Sequence, residues 1–306
     1  MEAGASARGR RAHAVATSSR VDDTRWNQQR VVGVTDAPSL VSLADGAVRS
    51  QRVGTTTIGF GEGFDEDLMT GMADAGSGTA HFAATPEEAP AIFAKEFEGL
   101  ASIVAQNLSV ELRPSDEVKV LGVLNDYPQV PVLGGIQLQL GDAYGEERRR
   151  IVFELFVPRL AELGVATVAH AVVRYVSMGA QIVAHELTVP VTVNLVAADE
   201  AAASDADHEV TEEVVILKAA RAQTEARDRA TSGDIDGARG LLRDAAKQLR
   251  TAAPASPRAD ELDRQADEME EHLGLLEAGS FDPMTSKKMR YQSRERQLRR
   301  GERGPS

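Results

Sequence analysis

The sequence predicts an α+β chain of several domains: a partial α/β unit, an antiparallel β-sandwich, and a C-terminal helical hairpin or small bundle. Three observations lead there. Residues 56–69 read as a buried strand, a glycine turn and a helix opened by acids, and a second strand and helix follow. Strand and helix alternating through short loops is the grammar of a doubly wound parallel sheet. From about Ala101 to Val196 the hydrophobic period becomes two, and beyond Thr211 it becomes the 3–4 step of helices.

Residues 1–30 are rich in Ala, Arg, Gly and Ser without a stable period, and are expected to form a disordered arm. Leu40, Leu43, Ala44, Ala47 and Val48 share one helical face, so a helix is expected over 38–52. Thr56 to Phe60 is a buried strand and Gly61 to Gly63 a turn. Asp65, Glu66 and Asp67 then open a helix, where carboxylates suit the positive end of the dipole. Thr79-Ala80-His81-Phe82 is a second strand. Pro86 opens a helix to about Leu100, because its missing N–H would be orphaned in a first turn anyway.

The run Gly59-Phe60-Gly61-Glu62-Gly63-Phe64-Asp65-Glu66-Asp67-Leu68 is followed by Ala75-Gly76-Ser77-Gly78, Phe82, Pro86-Glu87-Glu88 and Ile92-Phe93. Together they resemble the end of a von Willebrand factor type A (VWA) domain, in particular that of bacterial VWA proteins in which a β-rich region and a helical tail follow. The resemblance covers roughly residues 31–300 and implies an N-terminally truncated VWA domain over 31–101. A complete VWA domain carries Asp-x-Ser-x-Ser at a strand end, a Thr in a later loop and an Asp closing a further strand. These hold a divalent ion in the metal-ion-dependent adhesion site. No Asp-x-Ser-x-Ser occurs here.

Val31-Val32-Gly33-Val34-Thr35-Asp36 resembles the loop just after the last metal-site Asp. That leaves Asp22 and Asp23 as candidates for its degraded counterpart, or as a solvated acidic pair. Magnesium or manganese is expected only if such a site survives. With the central strands of the family's sheet missing, the strand near Ile58 is expected to present an open edge. The unit would then be marginal alone, or completed by another chain.

In the sandwich, placed at 102–197, Leu108, Val110 and Leu112 alternate with Ser109, Glu111 and Arg113. Ile136, Leu138 and Leu140 do the same, as do Leu187, Val189, Val191, Val193 and Leu195. Such alternation marks one buried and one wet face. Two more strands are expected in 151–157 and 165–176. Asn125-Asp126-Tyr127-Pro128 and Gly141-Asp142 mark turns, and Pro190 marks an edge or a bulge. Residues 198–210, rich in Ala and acids, read as a linker. In the helical region, 211–300, one helix is expected over Thr211–Ala230. Ile235, Ala238, Leu242, Ala245 and Leu249 then step by helical spacing, as do Leu262, Ala266, Met269, Leu273 and Leu276. Residues 301–306 read as a tail.

Composition sets limits. Cysteine is absent from the 306 residues, which excludes disulfides, thiolate zinc sites and thiol nucleophiles and fits a reducing compartment. No run of about 18 apolar residues spans a membrane and no signal peptide is evident, so a cytoplasmic location is expected. Residues 1–30 hold six Arg against three acids, and residues 287–303 hold eight Lys or Arg against two, so the body between is more acidic than the total of −13. That charge disfavours nucleic acid.

Each chemical motif has a plainer reading. Gly59-x-Gly61-x-Gly63 sits where a phosphate loop would, but its spacing fits no glycine fingerprint, no Lys follows, and Glu62, Asp65, Glu66 and Asp67 repel phosphate. The consecutive acids lack the alternation of a calcium loop. Histidines 13, 81, 170, 185, 208 and 272 show no ligand spacing, and no nucleophile with its base is evident. The basic run Lys287 to Arg300 reads as a helix end docking on the chain's own acidic body.

The expected function is a non-enzymatic protein–protein interaction module without an intact adhesion site or a cofactor. Its partners are other proteins and its contacts run through residues 103–276. Two alternatives stay open: a mis-started gene remnant without function, and a nucleotide-binding or enzymatic protein using the Gly59–Gly63 turn.

Overall fold

The computed structural model describes residues 14–19, 36–51, 53–61, 63–101, 103–145, 147–158, 163–178, 182–197, 207–298 and 300–302. The chain divides into two compact units, Met1–Glu98 and Gly99–Ser306.

In the first unit, β1 (Ala14–Ser19), β2 (Thr55–Phe60) and β3 (Ser77–Ala83) form a parallel sheet in the order β1-β2-β3. The helices are α1 (Ala37–Gln51), α2 (Glu66–Ala75) and α3 (Ala89–Ala101), the last preceded by a 3-10 turn at Pro86–Glu88. Helices between parallel strands are what connect them across a sheet. Two expectations change here. Residues 14–19, inside the stretch expected to be a disordered arm, form a strand. Because that strand pairs with β2 in register from Ala14↔Thr55 to Ser19↔Phe60, the strand at Ile58 is central rather than an open edge. Composition concealed β1: Ala-Val-Ala-Thr-Ser-Ser carries little hydrophobic signal, and its pairing partner lies about forty residues away.

The second unit begins with a five-stranded antiparallel sheet in the order β11-β10-β4-β7-β6. Its members are β4 (Ile103–Pro114), β6 (Gln129–Val132), β7 (Gly135–Tyr144), β10 (Gly164–Met178) and β11 (Ile182–Leu195). Two short pairs accompany it: β5 (Lys119–Val123) with β9 (Phe153–Phe156), and β8 (Glu147–Arg149) with β12 (Arg300–Glu302). Val123, Tyr127, Leu138 and Leu140 form the buried core of this region, with Val110, Phe153 and Leu298 packed on it. Pro190 lies on β11, an edge strand, opposite His170, and a bulge falls farther along β10, between Thr167 and Ala169, opposite Val191 and Thr192. An edge is where a residue without a donor N–H is tolerated.

Four helices follow: α4 (His208–Thr231), α5 (Ile235–Ala252), α6 (Ala259–Glu277) and α7 (Pro283–Leu298). Ile216, Ala238, Leu242, Leu249, Leu262, Ala266, Met269, Leu276 and Met289 meet in one core, so the 3–4 spacing seen in α5 and α6 is the buried stripe. Three boundaries differ from expectation. Asp207 caps α4 by accepting from Val210 N at 3.1 Å, so the helical region starts inside the expected linker, whose residues 198–206 lie outside the described ones. The basic run is a full helix, α7. Arg300–Glu302, at the seam of the expected helical region and tail, is a strand on β8. The helical region is therefore closed onto the antiparallel region at its far end.

Candidate functional site

Ligands of open parallel sheets bind beyond the carboxyl ends of the strands, so the turn after β2 is the place to look. Gly61 adopts φ +60°, a conformation that suits glycine, and its N–H donates to Ala83 O at 3.1 Å. The chain then folds back so that Phe64, 4% exposed, lies over Gly59. A Cβ on Gly59 would stand 2.3 Å from the Phe64 ring. That ring sits 6.0 Å from the ring of Phe82 on β3. Gly59 is therefore glycine for close approach, and hydrocarbon fills the space a phosphate would need. Replacing Gly59 by Ala must displace a buried ring, and we expect a loss of about 1–3 kcal/mol, read as faster hydrogen exchange of the β2 amides.

The acids after the turn serve the helix. Asp65 is the N-cap of α2 and accepts from Leu68 N at 3.0 Å, which occupies the end of the helix with the chain's own carboxylate. Below the turn, Thr57 Oγ1 donates to Met69 O at 2.9 Å, tying β2 to α2.

A part-buried polar cluster that the sequence did not disclose centres on Glu96. Its carboxylate accepts from Thr56 Oγ1 at 2.9 Å and meets His81 Nε2 at 2.7 Å, so one side chain of α3 holds both β2 and β3. A histidine between apolar strand residues was the available signal that an acid would cover it. His81 thus sits on β3 with Glu96 as its hydrogen-bond partner. His185 stacks on Tyr175 at 4.8 Å and meets Ser177 Oγ at 3.0 Å, and His170 is exposed on β10. His272 is buried in the helical core; His13 lies outside the described residues.

The VWA resemblance implies a divalent ion at the carboxyl ends of the strands, a hard cation that takes oxygen ligands. The described crest supplies the Phe64 ring, glycine backbone and an Asp65 already engaged with Leu68 N. Among the described residues no group of three His, Asp or Glu could hold a metal. The candidates Asp22 and Asp23, the 31–35 loop and Glu62 all lie outside the described residues.

The basic helix α7 docks on acids of its own unit. Arg294 meets Asp126 at 3.4 Å, Lys288 meets Glu271 at 3.7 Å, and Arg296 pairs with Glu268 while donating to Gln223 Oε1 at 3.0 Å. Among the described residues no helix is long and apolar enough to cross a membrane.

No family model matches the sequence, and no curated protein does. Solved structures match it. One is the von Willebrand factor type A from Catenulispora acidiphila, with a TM-score of 0.61 at 14% identity over 94% of this chain and 66% of that one. Another is the human COPII-coat protein Sec24c, with a TM-score of 0.51 at 11% identity over 93% of this chain and 39% of that one. The ArnB paralog VWA2 from Sulfolobus acidocaldarius scores 0.44 at 18% identity, over 92% of this chain and 63% of that one. This chain thus spans less than two thirds of each. The fold is VWA-like.

Proposed function

We propose that this VWA-like chain is a non-enzymatic protein-interaction module whose contacts do not pass through a metal-ion-dependent adhesion site. The observation that carries the reading is the filled crest: Phe64 packed over Gly59, and Asp65 spent on capping α2. A nucleotide reading of the Gly59–Gly63 turn meets the same obstruction. In this reading the antiparallel region is a β-sandwich, its second layer formed by the short strand pairs. The sandwich and the helices, within 103–276, carry the contacts. Leu121 and Phe156, 60% and 50% exposed on the paired strands β5 and β9, are apolar side chains of the kind a partner covers. The chain is cytoplasmic in the same proposal, a setting that its lack of cysteine suits.

The test is photo-crosslinking in cells from Leu121, against Asp236 on an exposed helix position as control, with and without chelator. A discrete heavier species from Leu121 alone, unchanged by chelator, is the expected result. A species that needs magnesium and is lost when Asp22 and Asp23 become Ala would instead establish metal-dependent binding. Equal smears from both positions would remove the interaction reading. In the same spirit, thermal unfolding of the purified chain is expected to overlay in chelator, magnesium and manganese. A rise of several degrees at sub-millimolar metal would contradict it.

A further inference from the structure

We infer that α7 together with β12 is a strap that opens from the helical region while α4, α5 and α6 stay folded. The helices differ in what they bury. α5 buries Ala238, Leu242, Ala245, Ala246 and Leu249. α6 buries Leu262, Ala266, Met269 and Leu276 beside Gln265 and His272. The buried residues of α7 are Lys287, Met289, Ser293 and Gln297, and only Met289 among them is apolar.

Polar groups fill the seam under α7 instead. Thr224 Oγ1 of α4 donates to Ser293 Oγ at 3.0 Å and accepts from Gln297 Nε2 at 2.9 Å. Arg296 Nη1 donates to Gln223 Oε1 at 3.0 Å and the same side chain pairs with Glu268 of α6. Lys288 and Glu271, 3.7 Å apart, are both about half exposed, and a pair so placed adds little. A hydrogen bond lost on opening is replaced by one to water, whereas hydrocarbon brought out of a core has no such replacement. Releasing α7 gives up Met289 and a set of exchangeable polar bonds. Releasing α5 or α6 gives up the apolar stripe itself.

The strap has a hinge at one end and a clip at the other. Residues 278–282 join α6 to α7. Gly279 has φ +67° there, and Ala278, Gly279, Ser280 and Asp282 are exposed. The clip is β12 on β8, three residue pairs long, with Asn125 and Tyr127 bonded to Gln297 O and Leu298 O. Leu298 adds the apolar part of the clip, packed on the antiparallel core. Opening uncovers Gln223, Thr224 and Glu268, a polar face that water can satisfy. The device needs no partner protein and so goes beyond the proposed function.

Hydrogen exchange of the full chain at pH 7, without urea and in urea below the global transition, tests it. A free sixteen-residue helix is marginal in water, so the amides of α7 exchange once it is released. They are expected to exchange about tenfold or more faster than those of α5 and α6. Urea should accelerate them less, because a local opening exposes less surface than global unfolding. The chain has no cysteine, so Thr224→Cys with Ser293→Cys adds a single possible disulfide where the two hydroxyls now meet. Oxidising that variant is expected to slow exchange in α7 by about tenfold relative to its reduced form while leaving α5 unchanged. Amides of α7 that exchange at the rate and with the urea dependence of α5 and α6 overturn the inference, as does a disulfide that forms without slowing α7.

Discussion

Lowering the pH from 7 to 4 is expected to cost the helical region about 3 kcal/mol through His272 alone. His272 on α6 is 1% exposed, and its Nε2 has no hydrogen-bond partner. Its Nδ1 lies 3.4 Å from Gln223 Nε2 on α4. Burial first, and then the Lys288 ammonium, push its pKa down to about 4. Glu271 and Glu268 act in the opposite direction, and Arg296 in the same direction as Lys288. In the unfolded chain the imidazole titrates near its ordinary value of about 6.5. Between these values the unfolded state binds more protons, so stability rises with pH there. The stability is complete above about 6.5, falls as the solution is acidified, and has lost this contribution below about 4.

Urea unfolding followed by the helical signal at pH 7, 5.5 and 4 measures the effect. Carboxylates that protonate near pH 4 add their own slope, so the decisive quantity is the difference from His272→Gln, which stays neutral. Parallel pH profiles for the two proteins would show that His272 is not the titrating group.

Asn125→Ala is expected to detach the end of α7 from the antiparallel region, at a cost on the order of 3 kcal/mol. Asn125 lies in the loop after β5 and is 1% exposed. Its Nδ2 donates to Arg150 O at 2.9 Å and to Gln297 O at 3.0 Å, while Oδ1 accepts from Val152 N at 2.8 Å. Truncation removes the partner of three backbone groups, one bond buried and two part-buried, although Gln297 O still accepts from Asp126 N at 3.4 Å; leaving such a group unpaired costs about 1–3 kcal/mol when it is buried. Tyr127, two residues on, donates its hydroxyl to Leu298 O at 2.6 Å, so Tyr127→Phe should weaken the same seam by about 1 kcal/mol. Hydrogen exchange across 296–302 is the direct measurement. Exchange there should rise in both variants, more in Asn125→Ala, while α5 and α6 stay protected. Because the two residues share one seam, the double variant should fall short of the sum. Unchanged exchange in Asn125→Ala would mean that β8–β12 pairing and the α7 ion pairs hold the tail unaided.

Much of the fold was legible because its signals are local. The alternation of Leu108 to Leu112 and the 3–4 step of Leu262 to Leu276 each record a face turned to a core, whatever the core turns out to be. Asp65 before an apolar run marked a helix start, and Asp65 caps α2. Pro190 marked an edge for want of a donor, and β11 is one. At the glycine turn, the acids that read as helix-opening include Asp65, which caps α2. Asp22 and Asp23 lie outside the described residues.

What sequence reading missed was the partner of each exposed edge or buried polar group. Nothing in Ala-Val-Ala-Thr-Ser-Ser states that it will run beside Thr55–Phe60, and nothing in Glu96 names Thr56 and His81. Asn125 read as a turn residue, which it is, yet its structural work is done with Gln297, 172 residues away.

By itself, then, the sequence determined the longer helices and strands, though not β1 or β12, and that the chain lacks thiol chemistry. Tertiary structure alone decided that β1 pairs with β2 and that α7 and β12 close the helical region onto the antiparallel region. The reason is physical. Periodicity and capping are set by neighbours within a few residues, whereas strand pairing and the satisfaction of buried polar groups depend on which distant groups arrive at the same place.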